Sequence, residues 1–407
     1  MILQFKNNTR SIITLIMMAL TSQIVAQPHF EAQAIDAQVV TIGKSEVLRG
    51  KSVFALDDHF VWGASTLKAD DGKYYMVFSA PETGSVFTNA WVTGSKMGLA
   101  VSDRPDGGYR MLGFFMNSDG YRHDTSNWDS QSVQNPHLRK FGDKYYLYYV
   151  GTSDPGNSKV KSATDTLDRR SRLQQMQKIG VIEFDSFEQL LRGDYRDGEC
   201  ILDARTRVKD TDIVDPSPEG TKPLPDNIIV VNPSVVYRPA DGKYLLYFKG
   251  NIYDPRWRGV HGVAIADSPM GPFVAQDFEV FTIETSDGAK LSAEDPYVWY
   301  DETDRMFYAV FKDFTGHFTK AGPSLAWMQS CDGIEWTLPE KPLFIKKEVV
   351  LKSGETVKLN RLERPQILHG EHGEVKVLFA ACTIEDVNPR TDGCSMNVQI
   401  PIRKVNK

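Results

Sequence analysis

EDPYVWY (residues 294–300) and MFYAVFKD (residues 306–313) are two apolar runs with a short polar turn between them. This pattern predicts two antiparallel strands joined by a hairpin. The strands of a hairpin run in opposite directions. Glu294 and Asp295, which begin the first run, are therefore expected at the same end of the pair as Asp313, which ends the second.

The same hairpin pattern occurs five times along the chain. Each copy has a small or polar residue, several apolar residues, a Gly/Asp turn and then an aromatic-rich strand. Counted between equivalent positions, the copies are 72, 97, 63 and 69 residues apart. A repeat of this kind is typical of folds in which each unit packs on its neighbours. The equivalent positions are Gly63, Asn135, Asn232, Asp295 and Arg364.

Each unit continues with a second hairpin, which gives four strands per unit. Five such units predict an all-β fold, a five-bladed β-propeller with four-stranded antiparallel blades, as a single domain over residues 27–407. A four-stranded sheet cannot bury both of its faces alone, so each blade needs its neighbours. We expect residues 39–47 to supply the outer strand of the fifth blade and so to close the ring.

The step of 97 residues contains an insertion in the second blade. Residues 154–178 are polar, include Arg169, Arg170 and Arg172, and predict a loop with a short helix. Two interpretations stay open for this segment. It is either a solvated surface, or it overhangs the site and contacts an anionic or hydroxyl-rich ligand.

Residues 1–26 have the pattern of a secretory signal peptide. Lys6 and Arg10 precede a short apolar core, and Ala26 lies at a position suited to cleavage. The core is too short for a membrane span. A secreted or periplasmic protein without membrane association after cleavage is therefore expected, with a buried N-terminal helix as the alternative. The net charge of −6 gives no reason to expect nucleic acid as a partner.

Polar residues at the strand ends are expected to meet at one mouth of the propeller channel, because first strands start there and second strands end there. Aspartate and asparagine before proline also cap turns without any function, and tryptophans equally fit a packed core. What favours a site is that the set recurs at the same end of all five units. The set consists of Asp58, Trp62, His123, Asp124, Trp128, Asp129, Asn135, Asn232, Lys249, Glu294, Asp295, Asp313, His317, Glu363 and Arg364.

Such a set provides what cleavage of a glycosidic bond requires. One carboxylic acid protonates the leaving oxygen, and a second carboxylate activates water or attacks carbon. The acid needs a raised pKa, which crowded like charges and burial supply. We therefore expect an oligosaccharide or polysaccharide as the partner and no cofactor, although the oxygen-rich channel is also compatible with a structural calcium ion.

The strand-start motifs resemble those of five-bladed glycoside hydrolases of the family 43 type and their relatives in families 32, 117 and 130. The motifs are EDP (294–296), NPH (135–137), NP (232–233) and ERPQ (363–366). Carried over by blade, the resemblance implies Asp58 as the base and Glu294 as the acid. The third-blade position holds Asn232 instead of aspartate, which leaves Asp295 or Asp129 for the role of pKa modulator. The residues expected to bind substrate are Trp62, Trp128, Asn135, Asn232, Lys249, Asp313, His317, Glu363 and Arg364.

Three functions stay open at this point. The leading hypothesis is an exported, exo-acting glycoside hydrolase that cleaves a plant or algal polysaccharide fragment, with inversion implied by the resemblance. A family 130-like phosphorylase would instead bind phosphate through Lys249, Arg364 and His317. A non-catalytic carbohydrate-binding propeller is the third. The cysteines show no spacing typical of a zinc site, and Cys382 and Cys394 are either a disulfide or two buried thiols.

Overall fold

The computed structural model describes residues 28–116, 127–153, 169–195, 198–205, 222–253, 257–284, 290–291 and 293–405. The predicted signal peptide lies outside these residues, and so do the candidates His123 and Asp124. No helix in the described part of the chain is long and apolar enough to cross a bilayer.

Four short strands precede the first blade, and the blades then follow in chain order. The early strands are β1 (His29–Ala32), β2 (Gln38–Ile42), β3 (Ser45–Arg49) and β4 (Val53–Phe54). Blade 1 consists of β5 (Trp62–Lys68), β6 (Tyr74–Pro81), β7 (Ser95–Ser102) and β8 (Arg110–Met116), with helix α1 (Phe87–Thr93) between β6 and β7. Blade 2 consists of β9 (Ser132–Phe141), β10 (Lys144–Thr152), β11 (Lys178–Phe184) and β12 (Glu199–Leu202), with α2 (Arg169–Gln175) before β11 and α3 (Phe187–Arg192) before β12.

The third and fourth blades repeat this antiparallel order, and each is followed by a small hairpin. Blade 3 consists of β13 (Val230–Arg238), β14 (Lys243–Tyr253), β15 (Trp257–Ala266) and β16 (Val274–Ala275), and its hairpin of β17 (Ile283–Glu284) and β18 (Lys290–Leu291). Blade 4 consists of β19 (Glu294–Asp301), β20 (Met306–Asp313), β21 (Ser324–Ser330) and β22 (Leu343–Lys346), and its hairpin of β23 (Glu348–Val350) and β24 (Thr356–Lys358). Blade 5 contributes β25 (Arg361–His369), β26 (Val375–Thr383) and β27 (Met396–Val405).

The five blades close into a ring. Their first strands, β5, β9, β13, β19 and β25, contact one another in a complete cycle. Apolar side chains from facing sheets pack between neighbouring blades, for example Leu99 of blade 1 against the cluster that contains Tyr149 of blade 2. The predicted all-β, five-bladed propeller with four-stranded antiparallel blades is therefore confirmed.

The strand that closes the ring differs from the prediction. Strand β1 pairs antiparallel with β27, from His29 opposite Val405 to Ala32 opposite Ile402, and is the outer strand of blade 5. Residues 39–47 were expected there, but they belong to the β2–β3 hairpin, whose strands pair with each other. The reason is packing, because β1 carries Phe30 into an aromatic cluster of blade 4. Phe30 thereby links the outer edge of blade 5 to its neighbour.

Two smaller expectations concern the second blade and the cysteines. Helix α2 forms the described end of the expected insertion, and residues 154–168 lie outside the described residues, so the insertion as a whole stays a prediction. Cys382 and Cys394 are buried thiols that form no disulfide. The fold is accordingly held by blade packing and by the N-terminal closing strand.

Candidate active site

A cavity of about 330 Å³ lies where the first strands of the blades begin. Ligand sites are commonly concave pockets of this size class, in which a few polar groups converge. All five blades contribute to its wall, and α1 and the segment around α2 border it. The lining residues are Trp62, Phe87, Trp91, Gln134, Asn135, Gln174, Gln177, Ile229, Val231, Asn232, Lys249, Glu294, Asp295, Lys312, Phe314, Arg361, Glu363, Arg364 and Asn388.

The backbone at the start of every first strand is left-handed at one residue, with φ between 53° and 59°. Residues other than glycine rarely adopt this conformation, and asparagine and aspartate tolerate it best. Strand pairing shifts at each of these positions, which marks a β-bulge. The five residues are Gly63, Asn135, Asn232, Asp295 and Arg364.

The bulges explain how consecutive residues reach the same cavity. In a regular strand, neighbouring side chains point to opposite faces. At the bulge of β19, Glu294 pairs with Lys312 and Tyr297 pairs with Val310, so two residues stand opposite one. Both Glu294 and Asp295 consequently line the cavity. Proline follows the left-handed residue in four of the blades, in keeping with its confinement to bulges and edges of sheets.

The side chains at the left-handed positions form a chain of hydrogen bonds around the channel. Asn135 Nδ2 donates to Asn232 Oδ1, and Asn232 Nδ2 donates to Asp295 Oδ1, each at 2.7 Å. Arg364 donates to Asp295 through Nη1 at 3.2 Å and through its backbone N–H at 3.1 Å. The fifth position, Gly63, has no side chain, and Arg364 lies against it. These contacts fix the orientation of every side chain at this level.

A second polar layer lies two residues further along each first strand. Ser65 Oγ and His137 Nδ1 both contact Gln366 Oε1, at 3.1 and 3.0 Å. The backbone N–H of Val235 donates to His137 Nε2 at 2.9 Å, which assigns the ring proton to Nδ1. Burial and the charge of Arg139 hold the pKa of His137 well below its usual range. His137 is therefore a neutral structural group beneath the cavity.

Charged side chains from three neighbouring blades meet at the wall of the cavity. Lys249 Nζ lies 2.9 Å from Oε1 of Glu294, and Lys312 Nζ lies 3.4 Å from its Oε2. Lys312 Nζ also lies 2.5 Å from Oε1 of Glu363, which Arg361 contacts at 2.9 Å. One ammonium group thus bridges two carboxylates that are 69 residues apart in the chain.

The environments of the two adjacent acids push their pKa values in opposite directions. Burial raises the pKa of Glu294, but the charges of Lys249 and Lys312 outweigh it and lower the pKa to about 2. For Asp295, burial raises the pKa, Arg364 opposes this, and the charge of Glu294 adds to it. Pairs of titratable groups that are pushed apart in this way are typical of acid/base sites. Glu294 is ionised at neutral pH.

The structure brings eight of the predicted site residues together. Four of them come from the left-handed positions, three from the residues just before such a position, and Lys249 from within the second strand of blade 3. Trp62 packs against Phe87 with ring centroids 4.7 Å apart and forms one aromatic wall. The eight residues are Trp62, Asn135, Asn232, Lys249, Glu294, Asp295, Glu363 and Arg364.

Asp58 is not part of the cavity lining. Its side chain is 82% exposed and contacts the ring of His59 at 2.9 Å. Strand β5 begins only at Trp62, so the first-blade position equivalent to Asp295 is Gly63. The structure therefore places Asp58 outside the cavity that Glu294 lines.

Trp128 and Asp129 lie within the second blade and do not line the cavity. Asp129 is buried and accepts a hydrogen bond of 2.7 Å from the hydroxyl of Tyr149. The ring of Trp128 lies against Gly151 and Gly180, where a side chain would collide with it. These two candidates serve the packing of the blade, which was the alternative interpretation of Trp128.

Asp313 is the last residue of β20, and His317 lies on the loop that follows it. The carboxylate of Asp313 accepts backbone hydrogen bonds from Gly316, Phe318 and Thr319, at 2.8, 3.0 and 3.1 Å. Asp313 therefore shapes this loop, and it lines a neighbouring cavity instead of the central one. His317 is exposed and lines neither cavity.

Several cavity residues were not predicted. Helix α1 supplies Phe87 and Trp91, and the guanidinium of Arg170 lies 5.5 Å from the ring of Trp91. An aromatic pair in the long connection between β6 and β7 was the available signal for this wall. Gln174 and Gln177 come from the segment that was expected either to be solvated or to overhang the site. The other additions are Gln134, Ile229, Val231, Lys312, Phe314, Arg361 and Asn388.

No group of three or more histidine, cysteine, aspartate or glutamate side chains is arranged to hold a metal ion among the described residues. The cavity instead combines ion pairs, amides and aromatic rings.

Comparison with solved structures shows which known proteins have a similar fold. A family 117 glycoside hydrolase from the marine bacterium Zobellia galactanivorans is 13% identical with a TM-score of 0.54, over 93% of this chain and 90% of that one. A GH62 α-L-arabinofuranosidase catalytic domain from Coprinopsis cinerea is 9% identical with a TM-score of 0.52, over 91% and 96%. The GH43_1 enzyme from Xanthomonas citri, in complex with xylotriose, is 14% identical with a TM-score of 0.50, over 87% and 90%.

The chain shares the fold of these propeller glycoside hydrolases. At identities this low, the likeness concerns the fold. Neither the protein-family models nor the curated proteins give a match to the chain.

Proposed function

We propose that the protein is a glycoside hydrolase whose reaction takes place in the central cavity. The observation that carries this proposal is the pair of carboxylates, Glu294 and Glu363, which Lys312 bridges on the cavity wall. Hydrolysis of a glycosidic bond needs two carboxyl groups on either side of the scissile bond. The aromatic rings of Trp62 and Trp91 line the same cavity and offer flat apolar surface for a sugar.

The ion pairs suggest which catalytic role each of the two carboxylates has. Glu294 is held ionised by Lys249 and Lys312, which suits the carboxylate that activates water or attacks carbon. This differs from the role of acid that the resemblance implied for Glu294. In Glu363, Oε1 contacts Lys312 and Arg361, whereas Oε2 has no hydrogen-bond partner among the described residues. A sugar hydroxyl that displaces Lys312 would leave two like charges close together. This repulsion favours uptake of one proton from solvent by the pair, and the protonated carboxyl group then donates it to the leaving oxygen.

Exo-action, export and inversion are finer parts of the same proposal. The cavity is bordered by α1 and by Gln174 and Gln177 near α2, which favours entry of a chain end over passage of a continuous chain. Export is supported by the signal-peptide pattern of residues 1–26. Inversion is carried over from the resemblance to family 43, whereas the bridge through Lys312 brings the nearest oxygens of Glu294 and Glu363 within about 6 Å, which is closer to the spacing of retaining enzymes. The substrate class, a plant or algal polysaccharide fragment, agrees with the structural neighbours, which are an enzyme from a marine bacterium, an arabinofuranosidase and an enzyme in complex with xylotriose.

The test is release of monosaccharide from arabino-, xylo-, galacto- and anhydrogalacto-oligosaccharides by the wild-type protein, with Glu363→Gln as the matched control. We expect turnover of one series by the wild type and loss of at least a hundredfold in the variant. The anomer first released, followed by NMR, reports inversion or retention. Binding of sugars without turnover across the panel would instead identify a non-catalytic propeller.

A phosphorylase is the second candidate, and one observation favours it. Four cationic and three acidic side chains line the cavity among the described residues, although the chain as a whole carries a net charge of −6. Lys249, Lys312 and Arg364 are suitable ligands for phosphate. A phosphorylase releases sugar 1-phosphate and needs inorganic phosphate, so turnover in phosphate-free buffer excludes it.

A further inference from the structure

A second cavity, of about 310 Å³, adjoins the central one. The two cavities share a common wall, and the second one extends from it toward the hairpin β23–β24. It is thus placed to receive the unit next to a sugar in the central cavity. The shared residues are Lys312, Phe314, Arg361, Glu363 and Asn388.

Lys347 is the distinctive residue of this second cavity. It lies between β22 and β23, where its carbonyl accepts a hydrogen bond of 2.9 Å from the backbone of Leu359. Its ammonium donates to the carbonyl of Asn360 at 3.0 Å. No carboxylate lies within ion-pair distance of Lys347 among the residues that the structure describes. Its charge is therefore held in place without being neutralised.

The other cations of this wall add to the positive potential at Lys347. Burial lowers the pKa of Lys347, and the charges of Arg361 and Lys312 lower it further, against the opposing charge of Glu363. A cation with a depressed pKa and a fixed position gains from a bound anion, because the anion stabilises its charged form. Arg361 adds a planar group that binds carboxylates and other oxyanions bidentately.

Each acid that borders the second cavity has hydrogen-bond donors or a cation beside it. Both oxygens of Asp313 accept backbone hydrogen bonds from its own loop. Oε1 of Glu363 contacts Lys312 and Arg361. Asp386 lies 4.0 Å from Arg361 with its side chain 55% exposed, so water screens its charge. None of these carboxylates forms an ion pair with Lys347 among the described residues, although the charge of Glu363 acts on it.

We propose that the second cavity binds an oxyanion, a sulfate ester or a uronate carboxylate, on the sugar unit next to the one in the central cavity. Lys347 and Arg361 are the groups that hold it. Phe314, which is 43% exposed and has the ammonium of Lys312 3.9 Å from its ring centroid, borders the space for that unit. The substrate would then be an acidic glycan. This assignment rests on the proposed function for the presence of a sugar, but it concerns binding and not turnover.

The test measures binding by calorimetry at low salt with matched probes. Oligogalacturonate, a sulfated galacto-oligosaccharide and the neutral galacto-oligosaccharide of equal length form one set, and xylo-oligosaccharides with and without a glucuronate substituent form another. The expected result is at least tenfold tighter binding of an anionic probe than of its neutral counterpart. The sulfated and carboxylated arms show which oxyanion is preferred. Equal binding of anionic and neutral probes, or no binding of any anionic probe, overturns the proposal.

Two variants locate the effect. Lys347→Met is expected to reduce the ratio of anionic to neutral affinity to near one. Lys346→Met removes the same charge from the exposed neighbouring residue, which lines neither cavity, and is expected to keep the wild-type ratio. An unchanged ratio in Lys347→Met contradicts the assignment.

Charge-selective binding without hydrolysis would support the oxyanion site and contradict the proposed hydrolase activity. Hydrolysis with no preference for charged substrates would support the hydrolase activity and contradict the oxyanion site.

Discussion

Asn232 donates a hydrogen bond of 2.7 Å to Asp295, although the two residues are 63 positions apart and belong to different blades. Both have left-handed backbones, with φ of 59° and 58°. The contact belongs to the hydrogen-bonded chain that runs from Asn135 to Arg364 around the channel. The same five positions therefore define the repeat in the sequence and the bulges in the fold, and four of them line the candidate active site.

Substitution of Asn232 separates the contribution of the backbone from that of the hydrogen bonds. Asn232→Gly keeps the left-handed conformation and loses only the side-chain contacts, which costs about 1–3 kcal/mol because buried partners stay unsatisfied. Asn232→Ala adds the strain of a left-handed residue, about 1–2 kcal/mol. Denaturant unfolding should therefore rank wild type above Asn232→Gly and Asn232→Gly above Asn232→Ala. Equal stability of the two variants would show that the backbone conformation is unimportant.

The closing strand gives a second stability prediction. Phe30 is 6% exposed and packs on Trp327 and Phe344 of blade 4, with centroids 5.2 and 4.8 Å away. Phe30→Ala should lower the free energy of unfolding by about 3–5 kcal/mol, as large core truncations do. Ile42→Ala is the control, since Ile42 is 48% exposed in β2 and should change stability by less than about 0.5 kcal/mol. Similar losses in both variants would contradict the assignment of β1 as the closing strand.

The ion pairs of Glu294 predict a dependence of stability on pH. The folded pKa of about 2 is below the usual value of 4.5, so the ionised form stabilises the fold. This stabilisation is fully present above about pH 4.5 and is lost as the pH falls toward 2, by an amount on the order of 3 kcal/mol. Glu294→Gln lacks this stabilisation. The difference in free energy of unfolding between the variant and the wild type, measured by denaturant titration, should therefore shrink as the pH falls from about 4.5 toward 2.

Glu302→Gln serves as the control for that titration, because Glu302 is an exposed turn residue. The free energy of unfolding of this variant should stay close to that of the wild type at every pH. A difference between wild type and Glu294→Gln that does not change from pH 7 to pH 2 would show that Lys249 and Lys312 do not stabilise the carboxylate.

The fold could be predicted because its repeat is visible in short sequence patterns. A polar or glycine residue at each bulge, a proline after it in four blades, and a Gly/Asp turn recur at equivalent positions. The closing strand was harder to locate, since β1 has only four residues. Its place depends on where Phe30 packs, and a contact across 297 residues to Trp327 leaves no local pattern.

The site was predicted in part for the same reason. Residues at or beside the bulges, such as Glu294 and Arg364, were found because they belong to the repeat. Asp58 was included because an acid was sought near the first blade, yet the repeat position there is Gly63, which has no side chain. Asp313 looked like a site residue at a strand end, but its hydrogen bonds to its own loop appear only in three dimensions.

Hydrolysis by variants at Glu294 and Asp58 tests the account most directly. The measurement is the rate of monosaccharide release from the preferred oligosaccharide, for folded wild type, Glu294→Gln and Asp58→Asn. We predict that Glu294→Gln lowers kcat by about 10²- to 10⁴-fold, whereas Asp58→Asn keeps the wild-type rate because its side chain lies outside the cavity. Full activity in Glu294→Gln, or loss of activity in Asp58→Asn, would contradict catalysis by the Glu294 and Glu363 pair.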